Sequence, residues 1–187
     1  ERLAGPGARR VDLEGRALLP AFVDPHSHLL ACAYARLQVP LGECAGWGEI
    51  ADRLSRHVQE QGVQPGEWVK GTGYDQNALA EGAAPDRFCL DRACPHNPVV
   101  IQHASGHAGV FNTLALERLG VLNGDCGLER DGQGELTGRG EENPFLDLLG
   151  RIPMDGLEDV LRAFQGAQEE YASHGITTAQ EGLLQPV

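Results

Sequence analysis

The sequence lacks any apolar stretch near the roughly 20 residues that a helix needs to cross a bilayer. It also lacks a basic N-terminal segment followed by an apolar run, the pattern typical of a secretory signal. Lys and Arg together number 15 against 27 for Asp and Glu, so the formal net charge is -12. Nucleic acids and anionic membrane surfaces both require a basic face on the protein. We therefore expect no nucleic-acid partner, no membrane partner and a cytoplasmic location.

Paired cysteine motifs are missing as well. The chain has five cysteines, an odd number at irregular spacing, and no two of them form a C-x-x-C pair. This pattern argues against a disulfide framework and is typical of a reducing compartment. Cys89 and Cys94 are close enough in sequence to share a metal site. The favoured interpretation of such unpaired cysteines is a small buried hydrophobic side chain.

What the sequence does contain is an alternation of short strand and helix patterns. Its composition, 41% hydrophobic and 22% charged, is that of a globular domain with its own core. Apolar residues at helical spacing predict helices over 47–61 and 156–175, and capping residues predict shorter helices over 86–94 and 112–119. Runs of β-branched and apolar residues predict strands over 8–14, 17–23 and 175–182, and strands that run into loops over 67–75 and 97–107. The alternation indicates an α/β fold with some parallel pairing.

Single residues mark the ends of several of these elements. Asp86 and Asn112 are of the types that cap helix N-termini, and Gly62 supplies a natural helix end. The turn at Glu14 and Gly15 is expected to join the first two strands. Residues 123–140 hold six glycines and many polar side chains, which predicts a loop or a loose hairpin.

The stretch LLPAFVDPHSHLL, residues 18–30, carries the clearest chemical signal. Alternate side chains of a strand point to the same face, so His26 and His28 are expected to project together from one end of a buried strand. Sites in barrels and α/β sheets gather at such strand ends. Two neutral imidazoles suit zinc and similar ions. Core or hydrogen-bonded histidines are the alternative, because an H-x-H pair alone is a weak signal.

Residues 13–29, LEGRALLPAFVDPHSHL, resemble the segment by which amidohydrolase-superfamily chains leave a small β-sandwich and begin a metal-dependent (β/α)8 barrel. Further segments resemble the amidohydrolase-3 type of that superfamily, in its order along the chain. They are GTGYDQNAL (71–79), NPVVIQHASGHAGVFNTLAL (97–116), GELTGRGEE (134–142) and HGITTAQEG (174–182). Ala21, Tyr74 and Glu181 depart from the family pattern, in which glycine, tryptophan and aspartate are usual.

The resemblance implies an α/β fold that is the N-terminal part of a metal-dependent (β/α)8 barrel hydrolase, with the barrel incomplete. Residues 1–20 would be the end of the β-sandwich, and 21–39 the first barrel strand and the segment after it. Residues 40–170 would form an inserted α/β segment, and 171–187 the next barrel strand. A barrel of this kind needs about 200–250 residues.

The resemblance also implies a chemistry. His26 and His28 would hold a divalent metal, with zinc the expected ion, that activates water to hydrolyse an amide-type C–N bond in a small molecule. Further metal ligands in such enzymes come from later barrel strands, so the 187-residue chain is expected to be inactive alone. It is expected to self-associate through its exposed strand edges and faces. A non-catalytic α/β interaction or regulatory module is the alternative.

Four further residues match family positions in loops. Glu142 is the candidate catalytic carboxylate, with a solvated loop carboxylate as the alternative. His107, Tyr74 and Asp75 are the candidate substrate-binding residues, with loop ordering or turn formation as the alternative for His107 and Asp75. The remaining histidines without supporting context are interpreted as structural or surface residues, and these are His57, His96 and His103.

Overall fold

The computed structural model of the chain describes residues 5–182. Its strands are β1 Phe22–Ser27, β2 Val39–Pro40, β3 Val69–Tyr74, β4 Val99–His103, β5 Ala108–Phe111, β6 Arg139–Glu141 and β7 Ile176–Glu181. Its helices are α1 Leu29–Ala35, α2 Trp47–Gln61, α3 Arg87–Ala93, α4 Thr113–Arg118, α5 Glu142–Leu149 and α6 Leu157–Ser173. No helix within the described residues is both long and apolar enough to span a membrane.

The first and last strands form a small sheet of their own. Strand β1 pairs in parallel with β7, and Ser27 lies opposite Glu181 at the carboxyl ends of both strands. Helices α1 and α6 pack against each other through the small side chains of Ala33, Ala163 and Ala167. This unit brings residues about 150 positions apart in sequence to one edge, since parallel strands end on the same side.

The other five strands form a mixed sheet in the order β2-β3-β4-β5-β6. Strands β2, β3 and β4 run parallel, and β5 and β6 continue the sheet with antiparallel pairing. One core cluster includes Ile50 and Leu54 of α2, which lie on the face that the helical spacing predicts. A second cluster is built around Phe111 and Phe145.

The predicted helix ends are confirmed. Gly62 ends α2 in the left-handed conformation, with φ of 64°. The carboxylate of Asp86 accepts a hydrogen bond from the Cys89 backbone N–H at 2.8 Å. The amide oxygen of Asn112 accepts from the Ala115 N–H at 2.9 Å. Such caps satisfy backbone donors that the first helical turn leaves without partners.

The predicted strand pair over 8–14 and 17–23 is wrong in the described chain, because residues 5–21 carry no strand and β1 begins only at Phe22. The turn is present, with the Arg16 N–H donating to the Leu13 carbonyl at 2.9 Å. Leu18 is 82% exposed, so no apolar face is covered here. A two-stranded hairpin needs a third strand or a helix beneath it to be stable.

The expectation that β1 is buried is also wrong in the described chain, because Phe22 and Val23 are 60% and 65% exposed. The predicted divisions after residues 20, 39 and 170 stay predictions. Residues 1–4 of the predicted sandwich segment and 183–187 of the last predicted segment lie outside the described residues.

Candidate functional site

The two histidines of the H-x-H pair come together at the carboxyl end of β1. Their ring centroids are 5.2 Å apart, with the ring planes at 84° to each other. Ser27 between them points the other way, is buried, and has its hydroxyl 2.7 Å from the Tyr171 hydroxyl. The alternation of side chains along the strand therefore places both imidazoles on the same side.

A carboxylate from the neighbouring strand holds one of these rings. Glu181, at the end of β7, has Oε1 3.1 Å from His28 Nδ1, and its Oε2 accepts from the Leu30 N–H at 3.2 Å. An imidazole that donates its Nδ1–H to a carboxylate leaves Nε2 unprotonated and free to bind a metal. Sequence reasoning noted Glu181 only as a departure from aspartate and missed this contact.

Gly182 lies directly against both rings. A Cβ atom added there would lie 2.9 Å from His26 Cε1, which is closer than real Cβ contacts, and 3.1 Å from His28 Cε1, which is tighter than most of them. Its backbone N–H donates to the Ser27 carbonyl at 2.6 Å. Glycine is therefore the residue that lets the end of β7 approach the imidazole pair.

The imidazole pair fits part of a ligand set for a divalent metal. Both rings belong to the residue type that zinc and similar ions prefer, and the Glu181 contact is the usual support for such a ligand. Within residues 5–182, no group of three or more His, Cys, Asp or Glu side chains is placed to hold a metal. The described residues thus offer two candidate ligands and a support for one of them, and no third candidate.

The structure gives no support to a metal site shared by Cys89 and Cys94. Cys89 and Cys94 are both buried, at 4% and 2% exposed. Burial raises the pKa of the Cys94 thiol to about 11, and it raises the pKa of Cys89 as well. A thiol binds metal as the thiolate, which these surroundings disfavour.

The loop candidates lie around a cleft of about 650 Å³ beside the five-stranded sheet. Tyr74 ends β3, His103 ends β4, Arg139 begins β6 and Glu142 begins α5. His107 lines the same cleft from the loop before β5. The cleft therefore opens at the carboxyl ends of the parallel strands β3 and β4, where α/β sheets usually bind ligands.

His107 and Glu142 contact each other at the rim of this cleft. His107 Nδ1 lies 3.3 Å from Glu142 Oε2, and the Glu142 N–H donates to the His107 carbonyl at 2.7 Å. Glu142 has φ of 50°, in the left-handed region that costs a residue with a side chain on the order of 1 kcal/mol. The surrounding contacts hold this carboxylate in place although its side chain is 73% exposed.

Asp75 forms the turn after β3, which is the alternative to a substrate-binding role that the sequence offered for it. Its Oδ1 accepts from the Asn77 N–H at 2.9 Å, and that hydrogen bond lowers the pKa of Asp75. The same oxygen lies 3.7 Å from His103 Nε2. His103 Nδ1 accepts from the Ser105 N–H at 3.0 Å, which leaves its proton on Nε2, facing Asp75.

His103 lines the cleft, a position that the sequence interpretation missed. The family resemblance over 97–116 specifies no residue at position 103, and the place of His103 follows from the pairing of β3 with β4. Its ring also packs edge-on against Tyr74, with centroids 5.4 Å apart. Tyr74 is 2% exposed, and burial raises the pKa of its hydroxyl to about 12.

The structure thus sorts the candidate residues into two groups. His26 and His28 belong to the small sheet, and Tyr74, His107 and Glu142 line the cleft. No hydrogen bond or ion pair joins the two groups within residues 5–182.

Known proteins resemble this chain over most of its length. The sequence model of the amidohydrolase family matches residues 9–187. The chain is 33% identical over 144 residues to the N-substituted formamide deformylase of Arthrobacter pascens, covering 72% of this chain and 26% of that protein. It is 25% identical over 185 residues to the Bacillus subtilis (strain 168) protein that bears the name amidohydrolase YtcJ, covering 96% of this chain and 32% of that protein.

A solved structure shows the same likeness in three dimensions. The crystal structure of an uncharacterized metal-dependent hydrolase from Pyrococcus horikoshii OT3 matches with a TM-score of 0.61 and 27% identity, over 86% of this chain and 30% of that chain. The chain therefore spans about a third or less of the length of the relatives it matches. Because the family model covers nearly its whole length, the chain belongs to the amidohydrolase family.

Proposed function

We propose that this chain carries part of the catalytic centre of a metal-dependent hydrolase that cleaves an amide-type C–N bond. The observation that carries the proposal is the imidazole pair of His26 and His28, 5.2 Å apart at a strand end and supported by Glu181. Membership of the amidohydrolase family and the likeness to a metal-dependent hydrolase support it.

The proposed ion is divalent, and zinc suits two neutral imidazoles best. Such an ion would supply a Lewis acid and a means of activating water at neutral pH. The contact with Glu181 would keep a proton on His28 Nδ1 and so leave Nε2 available to hold the metal. Gly182 leaves the space beside both rings that a larger residue would fill.

The cleft residues are proposed to act on the substrate side. Glu142 is the candidate carboxylate for holding or moving a proton, because its side chain is accessible while its backbone is fixed by His107. His107 and Tyr74 line the cleft, and Asp75 stands next to it against His103.

The substrate class proposed is a small amide or formamide. One relative bears the name N-substituted formamide deformylase, which describes the hydrolysis of a formamide C–N bond in that protein. We propose the same class of bond for this chain, with the substituent set by the cleft.

The proposed architecture makes β1 and β7 the first two strands of a (β/α)8 barrel. They are parallel and adjacent, and a connection that contains helices lies between them, as the barrel requires. The 187-residue chain alone is proposed to be inactive, because residues 5–182 offer no third metal ligand. A non-catalytic module is not favoured, because the chain belongs to a hydrolase family.

Metal analysis of chain purified without a histidine tag tests the proposal. After dialysis against zinc, the unmodified chain should retain close to one ion, and the His26→Ala/His28→Ala variant should retain none. The His57→Ala/His96→Ala variant removes the same number of imidazoles elsewhere and should bind like the unmodified chain. Equal zinc content in all three proteins would refute the proposal.

A further inference from the structure

Tyr74 combines a buried ring in the cleft with a hydroxyl that has no partner among residues 5–182. The side chain is 2% exposed, and its hydroxyl makes no hydrogen bond within residues 5–182. A hydroxyl that no protein group satisfies normally pairs with water or with a ligand. Tyr74 lines the cleft, where a bound molecule can supply the missing hydrogen bond.

The protonation state of the Tyr74 hydroxyl determines which hydrogen bonds it can make to a ligand. Burial raises the pKa of Tyr74 to about 12, with Arg139 and Glu141 as the charges that act on it. The hydroxyl is therefore protonated at neutral pH and keeps its oxygen lone pairs as acceptors. Arg139 and Glu141 line the same cleft as Tyr74.

The cleft carries more negative than positive charge. Its lining includes the carboxylates of Glu129, Glu141 and Glu142 against one guanidinium, that of Arg139.

Arg139, the one Lys or Arg among the described residues that line the cleft, is already engaged. Arg139 Nε donates to the Pro85 carbonyl at 3.1 Å, and Nη2 donates to the Ala84 carbonyl. Its Nη1 lies 3.4 Å from Glu129 Oε1. The guanidinium thus neutralises Glu129 and has few donors left for a ligand.

Two carboxylates remain for a ligand. Glu141 makes no side-chain hydrogen bond or ion pair within the described part of the chain, and Glu142 contacts only the ring of His107 there. With the acceptor oxygen of Tyr74, the cleft offers hydrogen-bond acceptors beside unbalanced negative charge. An alkylammonium group, with three donors and one positive charge, matches these groups.

We infer that this cleft binds a substrate whose amide carries an alkylammonium group. The amide part of this ligand rests on the proposed function. Its positively charged part rests on the cleft alone. A volume of about 650 Å³ lies within the range of small-molecule sites and leaves room for both parts of such a ligand.

Three formamides of similar shape test the inference. N-(4-aminobutyl)formamide carries an ammonium group, N-pentylformamide is neutral and 5-formamidopentanoate is anionic. Binding is measured by calorimetry at pH 7 with EDTA present, so that no metal contributes. The cationic compound should bind about tenfold more tightly than the neutral one, and the anionic one should bind most weakly. Equal affinities, or no binding of the cationic compound, would overturn the inference.

Variants place the effect in the cleft. Glu141→Gln should reduce the preference for the cationic compound to near unity, and Tyr74→Phe should weaken its binding about threefold. Glu60→Gln, which removes an exposed carboxylate on α2, should leave binding unchanged. An identical preference in Glu141→Gln and Glu60→Gln would overturn the inference. Tyr74 makes no hydrogen bond within residues 5–182, so the urea midpoint of unfolding of Tyr74→Phe should equal that of the unmodified chain. An unchanged midpoint shows that weaker binding by this variant does not come from a loss of folding.

The outcome is separable from that of the proposed function. Zinc retention by His26 and His28 is measured without any formamide, and formamide binding is measured without any metal. Loss of the cation preference with zinc retained would overturn this inference alone, and the reverse result would overturn the metal site alone.

Discussion

At the scale of single residues, the alternation of strand side chains was enough to predict that His26 and His28 meet. The contact between His28 and Glu181 was not predictable, because it joins residues 153 positions apart through the parallel pairing of β1 with β7. The close approach of Gly182 to the two rings also follows from the pairing of β1 with β7. A pattern along the chain shows which residue types are present, and pairing between strands decides which of them touch.

The close approach of Gly182 gives the first prediction. Gly182→Ala should weaken zinc binding at least severalfold, because its Cβ would displace both imidazole rings. The backbone of Gly182 does not lie in the left-handed region, so crowding is the only constraint on this substitution. Zinc titration followed by calorimetry measures the effect.

The matched control is Gly48→Ala on α2, where an added Cβ meets nothing within 4 Å. This variant should bind zinc normally and gain about 0.5–1 kcal/mol of stability from the helix. Normal zinc affinity in Gly182→Ala would contradict the arrangement described for the two rings.

The cysteines give a second prediction at this scale. Burial raises the pKa of Cys44, Cys89 and Cys94, so at pH 8 these thiols carry less thiolate and react more slowly with iodoacetamide. Cys32 and Cys126 are only half-buried and should be modified first. Mass spectrometry of partly alkylated protein gives the order, and urea-unfolded chain, in which all five should react alike, is the control. Early modification of Cys94 would contradict its burial.

At the scale of elements, helices with clear caps and periodic apolar faces were predicted well. Helix α2 has the bounds that its apolar spacing indicated, and Asn112 caps α4. Helix α5 was missed because it begins at Glu142 in a left-handed conformation and carries Pro144 in its first turn, so no N-cap pattern is present. Strand β5 was missed because four residues are too few for a pattern.

Asn112 does more than its cap position indicated. Its amide oxygen accepts from the Val99 N–H at 2.8 Å as well as from Ala115, and its Nδ2 donates to the Asn97 carbonyl at 3.0 Å. The side chain is fully buried, so Asn112→Ala would leave three buried backbone groups without partners. We expect a loss of about 3 kcal/mol in the free energy of unfolding, measured with urea.

Asp86→Ala provides the comparison, because it removes an N-cap with a single hydrogen bond to Cys89. This variant should lose about 1 kcal/mol. Equal losses in the two variants would show that Asn112 acts only as a cap.

At the scale of the whole molecule, the order of matching segments was enough to identify the family, and the family model bears this out. The separation of the candidate residues into an imidazole pair and a cleft was not predictable. It arises because the chain between β1 and β7 forms its own five-stranded sheet. The exposed strand β1 was not foreseen either, because an apolar run indicates burial without showing what covers it.

Self-association is the prediction at this scale. Phe22 and Val23 are 60% and 65% exposed on β1, which has one paired edge within residues 5–182. Exposed apolar strands favour association, so we propose a homo-oligomer, with a dimer as the expected species. Sedimentation velocity should show it, and Val23→Lys should shift the protein toward monomer. If the unmodified chain sediments as a monomer at all concentrations, this proposal is contradicted.

The central claim is that His26 and His28 jointly hold a divalent metal. Long-range proton–nitrogen NMR of the imidazole rings tests it most directly, because it reports each ring nitrogen separately. On addition of zinc, the account predicts large shifts for His28 Nε2 and for one ring nitrogen of His26, while His28 Nδ1 keeps its proton toward Glu181. Zinc-induced shifts confined to other histidines, or none at these two rings, would contradict it.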